Sequence, residues 1–150
     1  IAFNDADSLE LQWFGQEYLE MALEKDSSQE ENYLRHLAKM QRNSRELGID
    51  GVMDSLKLDA IIAPSGAPAW ITDPVNGDHY ILGSSSPAAI SGYPNISLPM
   101  GMIKGLPVGL SIFGRLRSEL LLLQIAGAYE AERKAIEPPK FLQSDPLPKN

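Results

Sequence analysis

Apolar and polar positions change their rhythm twice along the 150 residues. Up to about residue 57 they repeat with a helical period. Over residues 8–24, Phe14, Tyr18 and Met21 fall on one stripe. Glu10, Glu17, Glu20 and Glu24 lie around the polar arc, which predicts a helix capped by Asp7 or Ser8. Lys25, Asp26 and Ser27 break it. Ser28 and Glu31 have the spacing of a capping box and open a second helix over 28–47. Its apolar face is Tyr33, Leu37, Met40 and Leu47, and Gly48 stands where a left-handed C-terminal cap belongs. Asp50 is the expected cap of a short third helix, 51–56. Helices of this kind are expected to lie on a core with their charges solvated.

After residue 57 the rhythm shortens. Leu58–Ala63 is an apolar run ended by Pro64. Asn95–Met100 and Pro107–Phe113 are two more, each introduced by proline and ended by glycine. Isoleucine, valine, leucine and phenylalanine between such breakers predict buried strands. Residues 65–83 (SGAPAWITDPVNGDHYILG) show no helical pattern and read as one long loop, a feature that is usually functional or else poorly ordered. Pro87 suits the first turn of a short helix over 85–92. Residues 118–134 form the last predicted helix, with Ser118 as its cap and Leu121, Ile125, Ala128 and Tyr129 as its buried stripe. Gly127 in its middle costs about 1 kcal/mol against alanine, so close packing is expected there. Pro138 and Pro139 stop it. The division expected is a helical cladding segment (1–57), a sheet-and-helix core (58–137) and a tail (138–150), as one domain.

Charge follows the same division. The net charge is −7, and residues 1–60 carry 13 acidic against 6 basic side chains. Residues 61–117 carry only 2 acidic and 3 basic, as a buried sheet or the lining of a small-molecule cleft would. An acidic chain is a poor partner for nucleic acid. There is no cysteine, which removes disulfides, thiolate metal sites and a cysteine nucleophile, and suits the cytoplasm. No apolar run reaches the roughly 18–20 residues a membrane span needs. The first residues, IAFNDADSLE, lack the basic start and apolar run of a signal peptide and do not begin with methionine, so a fragment, a processed product or a trimmed chain is expected.

The loop holds the densest set of chemically able side chains: Trp70, Asp73, Asp78, His79 and Tyr80, followed by Ser84, Ser85 and Ser86. A serine nucleophile needs a base within hydrogen-bond reach and a group to orient that base. His79 with Asp73 or Asp78 offers those types, but GSSSP lacks the G-x-S-x-G spacing of a nucleophile elbow. The competing reading has these serines capping a helix or lining a cleft. Trp70 either stacks on a substrate or plugs the core. His36 lies on a charged helix face and reads as a surface residue. Two carboxylates and one histidine in a loop are a weak metal signal, and Gly101–Gly105 fits no phosphate-binding loop.

One longer pattern is more specific. Ala88-x-x-x-Gly92-Tyr93-Pro94-x-Ile96-Ser97-x-Pro99-x-Gly101 is followed by Gly105-Leu106-Pro107-Val108-Gly109-Leu110-x-Ile112-x-Gly114. Glu119-x-Leu121 and Ala128-Tyr129-Glu130 then complete it. With LDAIIAPSGAP upstream, it resembles the C-terminal part of the amidase signature family over residues 8–135. DPVNGDHYILGSSS looks like a loop of one bacterial branch. Asn95 stands where a small residue is usual and Ser111 where glutamine is common.

The resemblance implies an α/β fold: a few core strands of a mixed sheet (58–63, 95–100, 107–113) covered by helices (8–24, 28–47, 118–134). It implies carboxamide hydrolysis, or transfer of the amide's ammonia, by a serine–serine–lysine triad that needs no metal or organic cofactor. A buried, neutral lysine takes the proton through the bridging serine, and backbone N–H groups hold the oxyanion. That triad has no counterpart here. Ser84–Ser86 follows the LDAIIAP strand and is not the family's glycine/serine-rich run, and Lys25, Lys39 and Lys57 lie in the charged helical region. No catalytic residue is carried over. Trp70, Asp73, Asp78, His79, Ser84 and Ser85 are the expected substrate-binding residues for a small amide. The expected partner is the missing N-terminal part of the same protein or a second copy, with no nucleic acid and no membrane. Two readings compete: a self-folding binding module that uses loop 65–83, and a small serine hydrolase that uses Ser84–Ser86 with His79.

Overall fold

A computed structural model describes residues 1–7, 9–12, 15–26, 30–133 and 138. The chain forms two compact units, Ile1–Gln41 and Arg42–Asn150.

In the first unit the helix expected over 8–24 is confined to its C-terminal end, α2 (Glu17–Leu23), and a separate short helix, α1 (Ala2–Ala6), precedes it. Gln16 ties the two together. Asn4 Nδ2 donates to Gln16 Oε1 at 3.1 Å, and Gln16 Nε2 donates to Asp5 Oδ1 at 2.6 Å. These two bonds fold the segment back on itself and bury Gln16. Asp7 does act locally, its Oδ1 accepting the Leu9 N–H at 2.8 Å. Ser8 and Phe14 lie outside the described residues, as does Ser28 with its capping box. Helix α3 is Glu30–Ser44. None of α1, α2 or α3 buries a residue. Tyr18 (85% exposed) and Tyr33 (62%) sit on stripes expected to lie on a core, and no described residue covers them.

In the second unit, α3 passes through a π-helical turn, Arg45–Ile49, into α4, Asp50–Leu56. Gly48 is not a left-handed cap. Its backbone (φ −105°, ψ −108°) kinks the helix without ending it, and a Cβ there would stand 2.8 Å from the Asn43 carbonyl. The left-handed cap falls to Lys57, at φ 52°. Asp50 caps nothing either, because its carboxylate accepts the Tyr93 hydroxyl instead.

Three strands follow: β1 (Ile61–Pro64), β2 (Asn95–Ile103) and β3 (Leu106–Phe113), in the order β1-β3-β2. Both pairings are antiparallel. Lys104 and Gly105, both at positive φ (50° and 82°), close β2 onto β3 in a two-residue turn that only an antiparallel pair can use. The strand ends differ from expectation. β1 is shorter than 58–63, while β2 runs past Gly101 because a register shift between Pro99 and Gly101 absorbs the proline.

β3 is central and covered on both faces, so its last four residues are all buried. Leu110 and Ile112 pack with Leu98, Leu122 and Ala126, while Phe113 packs with Ile49, Met53 and Ala88. Helix α5 (Ser86–Ser91) has Pro87 in its first turn and ends at Gly92 in the left-handed region, φ 69°. Helix α6 is Glu119–Glu132, but its buried stripe is Leu122 and Ala126 with Ile125 and Tyr129 beside them. Leu121 and Ala128, expected inside, are exposed. A Cβ on Gly127 would have no neighbouring atom within 4 Å, so the close packing expected there does not occur. Ser118 Oγ donates to the Arg115 carbonyl at 2.7 Å rather than capping α6. Among the described residues no helix is long and apolar enough to cross a membrane.

Candidate functional site

Loop 65–83 leaves β1 and returns to α5 with its ends pinned together. Gly66 and Gly83 form an isolated antiparallel bridge, and the Ser84 N–H donates to the Ser65 carbonyl at 3.2 Å. The loop thus hangs from the end of β1.

Beneath this junction lies a set of hydroxyls. Ser111 on β3 and Ser97 on β2 are directly paired across the sheet, one position beyond the Ile112–Ile96 pair. Side chains alternate along a strand, so both serines face away from α6 and toward the Phe113 side. Ser65 Oγ lies 2.6 Å from Ser97 Oγ and 2.8 Å from Ser111 Oγ. Gly109 makes this arrangement possible. A Cβ there would stand 2.8 Å from Ser65 Oγ and 3.0 Å from Ser65 Cβ. Ser111 is buried and Ser97 is exposed, so the group runs from the core to the surface. Next to it, the buried Ser84 Oγ has no hydrogen-bond partner among the described residues. An unsatisfied buried hydroxyl is uncommon in a folded chain.

The loop itself is organised by Asp73. Its Oδ1 accepts the N–H groups of Val75 and Asn76, both at 2.9 Å, and its Oδ2 accepts Asn76 Nδ2 at 2.8 Å. The Asn76 N–H, then the Asn76 side chain, then the Val75 N–H hold the Asp73 carboxyl below the usual carboxylate range. Trp70 Nε1 donates to Asp78 Oδ1 at 3.4 Å, and the Trp70 ring meets the Tyr80 ring edge-on, 6.3 Å between centroids. Trp70 is 38% exposed, so it does not plug the core. Tyr80 leans on the site left open by the missing Gly83 side chain.

The expected binding residues therefore fall into separate roles. Trp70, Asp78 and Tyr80 come together as an exposed aromatic shelf. Asp73 engages both oxygens inside the loop. Ser84 lies at the pinned junction beside Ser65, and Ser85 is the residue before α5, making no capping bond. His79 is exposed, and no hydrogen bond among the described residues joins it to Ser84, Ser85, Ser86, Asp73 or Asp78. Among the described residues no hydrogen bond gives those serines a base. Ser65 and Gly109 do not stand out in the sequence as site residues, because only the sheet register brings residues 65, 97 and 111 to one place. No group of three or more histidine or acidic side chains among the described residues is placed to hold a metal.

No protein-family model matches the chain. A probable amidase of Arabidopsis thaliana is 35% identical over 147 residues, which is 95% of this chain and 25% of that protein. The glutamyl-tRNA(Gln) amidotransferase of Pseudothermotoga lettingae has an A subunit that is 36% identical over 104 residues, 65% of this chain and 22% of that protein. Among solved structures, a peptide amidase in complex with the competitive inhibitor chymostatin matches with a TM-score of 0.83 and 40% identity, over 93% of this chain and 29% of that one. The native peptide amidase of Stenotrophomonas maltophilia matches with a TM-score of 0.80 and 40% identity, over 93% and 28%. The chain spans about a quarter of the length of the curated relatives it matches. Sequence and fold agree over nearly the whole of it: the chain belongs to the amidase signature family.

Proposed function

We propose that this chain acts as the C-terminal part of an amidase-signature hydrolase that cleaves a carboxamide through an acyl-enzyme on a serine. Its own contribution is a set of core strands and one wall of the substrate cleft. The observation that carries this reading is the agreement with peptide amidase over 93% of this chain but only 29% of that one. The surface of the chain supports it. β1 and β2 are edge strands among the described residues, Ile62 on β1 is 64% exposed, and α2 and α3 leave Tyr18, Met21 and Tyr33 uncovered. Edges and apolar patches of this kind are normally paired or covered.

In this reading loop 65–83 and the serine junction form the wall. Trp70 and Tyr80 present apolar surface to the substrate, Asp78 fixes Trp70, Asp73 fixes the loop, and the Ser84 hydroxyl awaits a partner from substrate or from the remaining chain. His79 and Ser85 lie at the rim. The nucleophile, its bridging serine and the lysine belong to the preceding part of the protein, with which this chain associates. No organic cofactor enters the reaction. A chain without cysteine suits the cytoplasm, and we assign it there.

The test is reconstitution. The coding sequence upstream of Ile1 should carry a glycine/serine-rich run preceded by a lysine. Coexpressing that segment with this chain should give a complex that releases ammonia from peptide amides and labels on one serine with a fluorophosphonate. A label on Ser84, Ser85 or Ser86 of this chain alone would overturn the reading.

A further inference from the structure

The Asp73 turn holds a reactive pair. Asn76 is followed by Gly77, and both are exposed. Glycine offers no side chain to shield its backbone nitrogen, and Gly77 sits at φ 85° with no atom within 4 Å of where a Cβ would be. An asparagine side-chain carbonyl next to such a nitrogen can be attacked by it. In this structure both reacting groups are held by Asp73. Asn76 Nδ2, the leaving group, donates to Asp73 Oδ2 at 2.8 Å, and the Gly77 N–H donates to the Asp73 carbonyl oxygen at 2.9 Å.

We propose that Asn76–Gly77 is a spontaneous deamidation site that Asp73 holds in check, and that its conversion undoes the loop turn. The step balances without any added reagent but water. The Gly77 nitrogen bonds to Asn76 Cγ. The Cγ–Nδ2 bond breaks, and Nδ2 leaves as ammonia with the proton lost from the Gly77 nitrogen. Water then opens the cyclic imide at either carbonyl, giving aspartate or isoaspartate at position 76.

The product cannot keep the turn. A carboxylate in place of the Asn76 amide sets a negative charge against Asp73 Oδ2, where the amide donated at 2.8 Å. Attraction becomes repulsion between like charges in contact. An isoaspartate also lengthens the backbone by one carbon between residues 76 and 77, which displaces the Gly77 N–H from the Asp73 carbonyl. Loop 65–83 would then present Trp70 and Asp78 differently. This inference concerns the loop's own chemistry and does not rest on the amidase reading.

The experiment incubates the 150-residue chain in mildly alkaline buffer and follows residue 76 by peptide mapping with separation of the aspartate and isoaspartate forms. A free peptide covering the same loop residues serves as the unrestrained reference. The expected result is conversion at Asn76 several-fold slower in the folded chain than in the peptide. Asp73→Ala should raise the folded chain's rate toward the peptide's, and Asn76→Gln should abolish conversion. The converted chain should lose amide-exchange protection at Gly77. Conversion in the folded chain as fast as in the peptide, no conversion at all, or no acceleration in Asp73→Ala would overturn the proposal.

Discussion

The Tyr93 hydroxyl donates to Asp50 Oδ2 at 2.6 Å across 43 positions of chain, tying the start of α4 to the segment that enters β2. The bond is the centre of a clamp. Arg45 Nε donates to the Ser91 carbonyl at 2.7 Å and its guanidinium lies 5.7 Å from the Tyr93 ring centroid. Arg115 reaches Asp54 at 2.6 Å and lies 3.7 Å from Asp50. Tyr93→Phe keeps the ring and removes the donor. A hydrogen bond to a charged group contributes about 1.5–3 kcal/mol, so urea unfolding should show stability lowered by roughly that amount with an unchanged slope.

The same residue sets a pH dependence. Desolvation, then the Asp50 hydrogen bond and the Asp50 charge, raise the Tyr93 hydroxyl above the ordinary tyrosine value, against smaller pulls from Arg45 and Arg115. A folded-state pKa above the unfolded one gives stability that is complete below about pH 10 and lost as pH rises through the folded value. Denaturation followed into the alkaline range should show that loss in the native chain and no such loss in Tyr93→Phe.

Asp73 has the opposite sign. Its folded pKa lies below the ordinary 3.8, so the turn it holds should be fully present above that value. The turn should loosen only as pH falls below 3.8 through the lower folded value. Amide exchange at Val75 and Asn76, measured on descending pH, checks this. Opening already at neutral pH would contradict the geometry.

Two glycines should respond to alanine in opposite directions. Gly109→Ala would place a methyl 2.8 Å from Ser65 Oγ and separate the three serines. Overpacking of that kind costs about 1–3 kcal/mol. Gly127→Ala meets nothing and sits inside α6, so it should stabilise by about 1 kcal/mol. Chemical denaturation of both variants reads the contrast directly.

That pair also marks how far the sequence can be read. Proline and glycine fences make three strands and α5 legible, because those residues act through local backbone chemistry. The face that α6 buries is not legible. Leu120 to Leu123 are all leucine, so an apolar residue points every way and Leu122 cannot be told from Leu121. The cap expected at Gly48 falls to Lys57 because the helix continues through a π turn that no residue pattern announces. The amphipathic stripes of α2 and α3 promise a core that the described residues do not supply. At the candidate site, loop 65–83 and its residues are visible as composition, whereas the Ser65–Ser97–Ser111 contact depends on strand register across 46 positions.

We propose that this chain builds a cleft wall and leaves the reacting groups to the rest of an amidase. Ammonia release from a peptide amide, measured with the purified 150-residue chain by itself and then with the preceding segment added, tests it most directly. The expected result is no turnover from the chain by itself and turnover when the two are combined. Sustained amide hydrolysis by the isolated chain would contradict it.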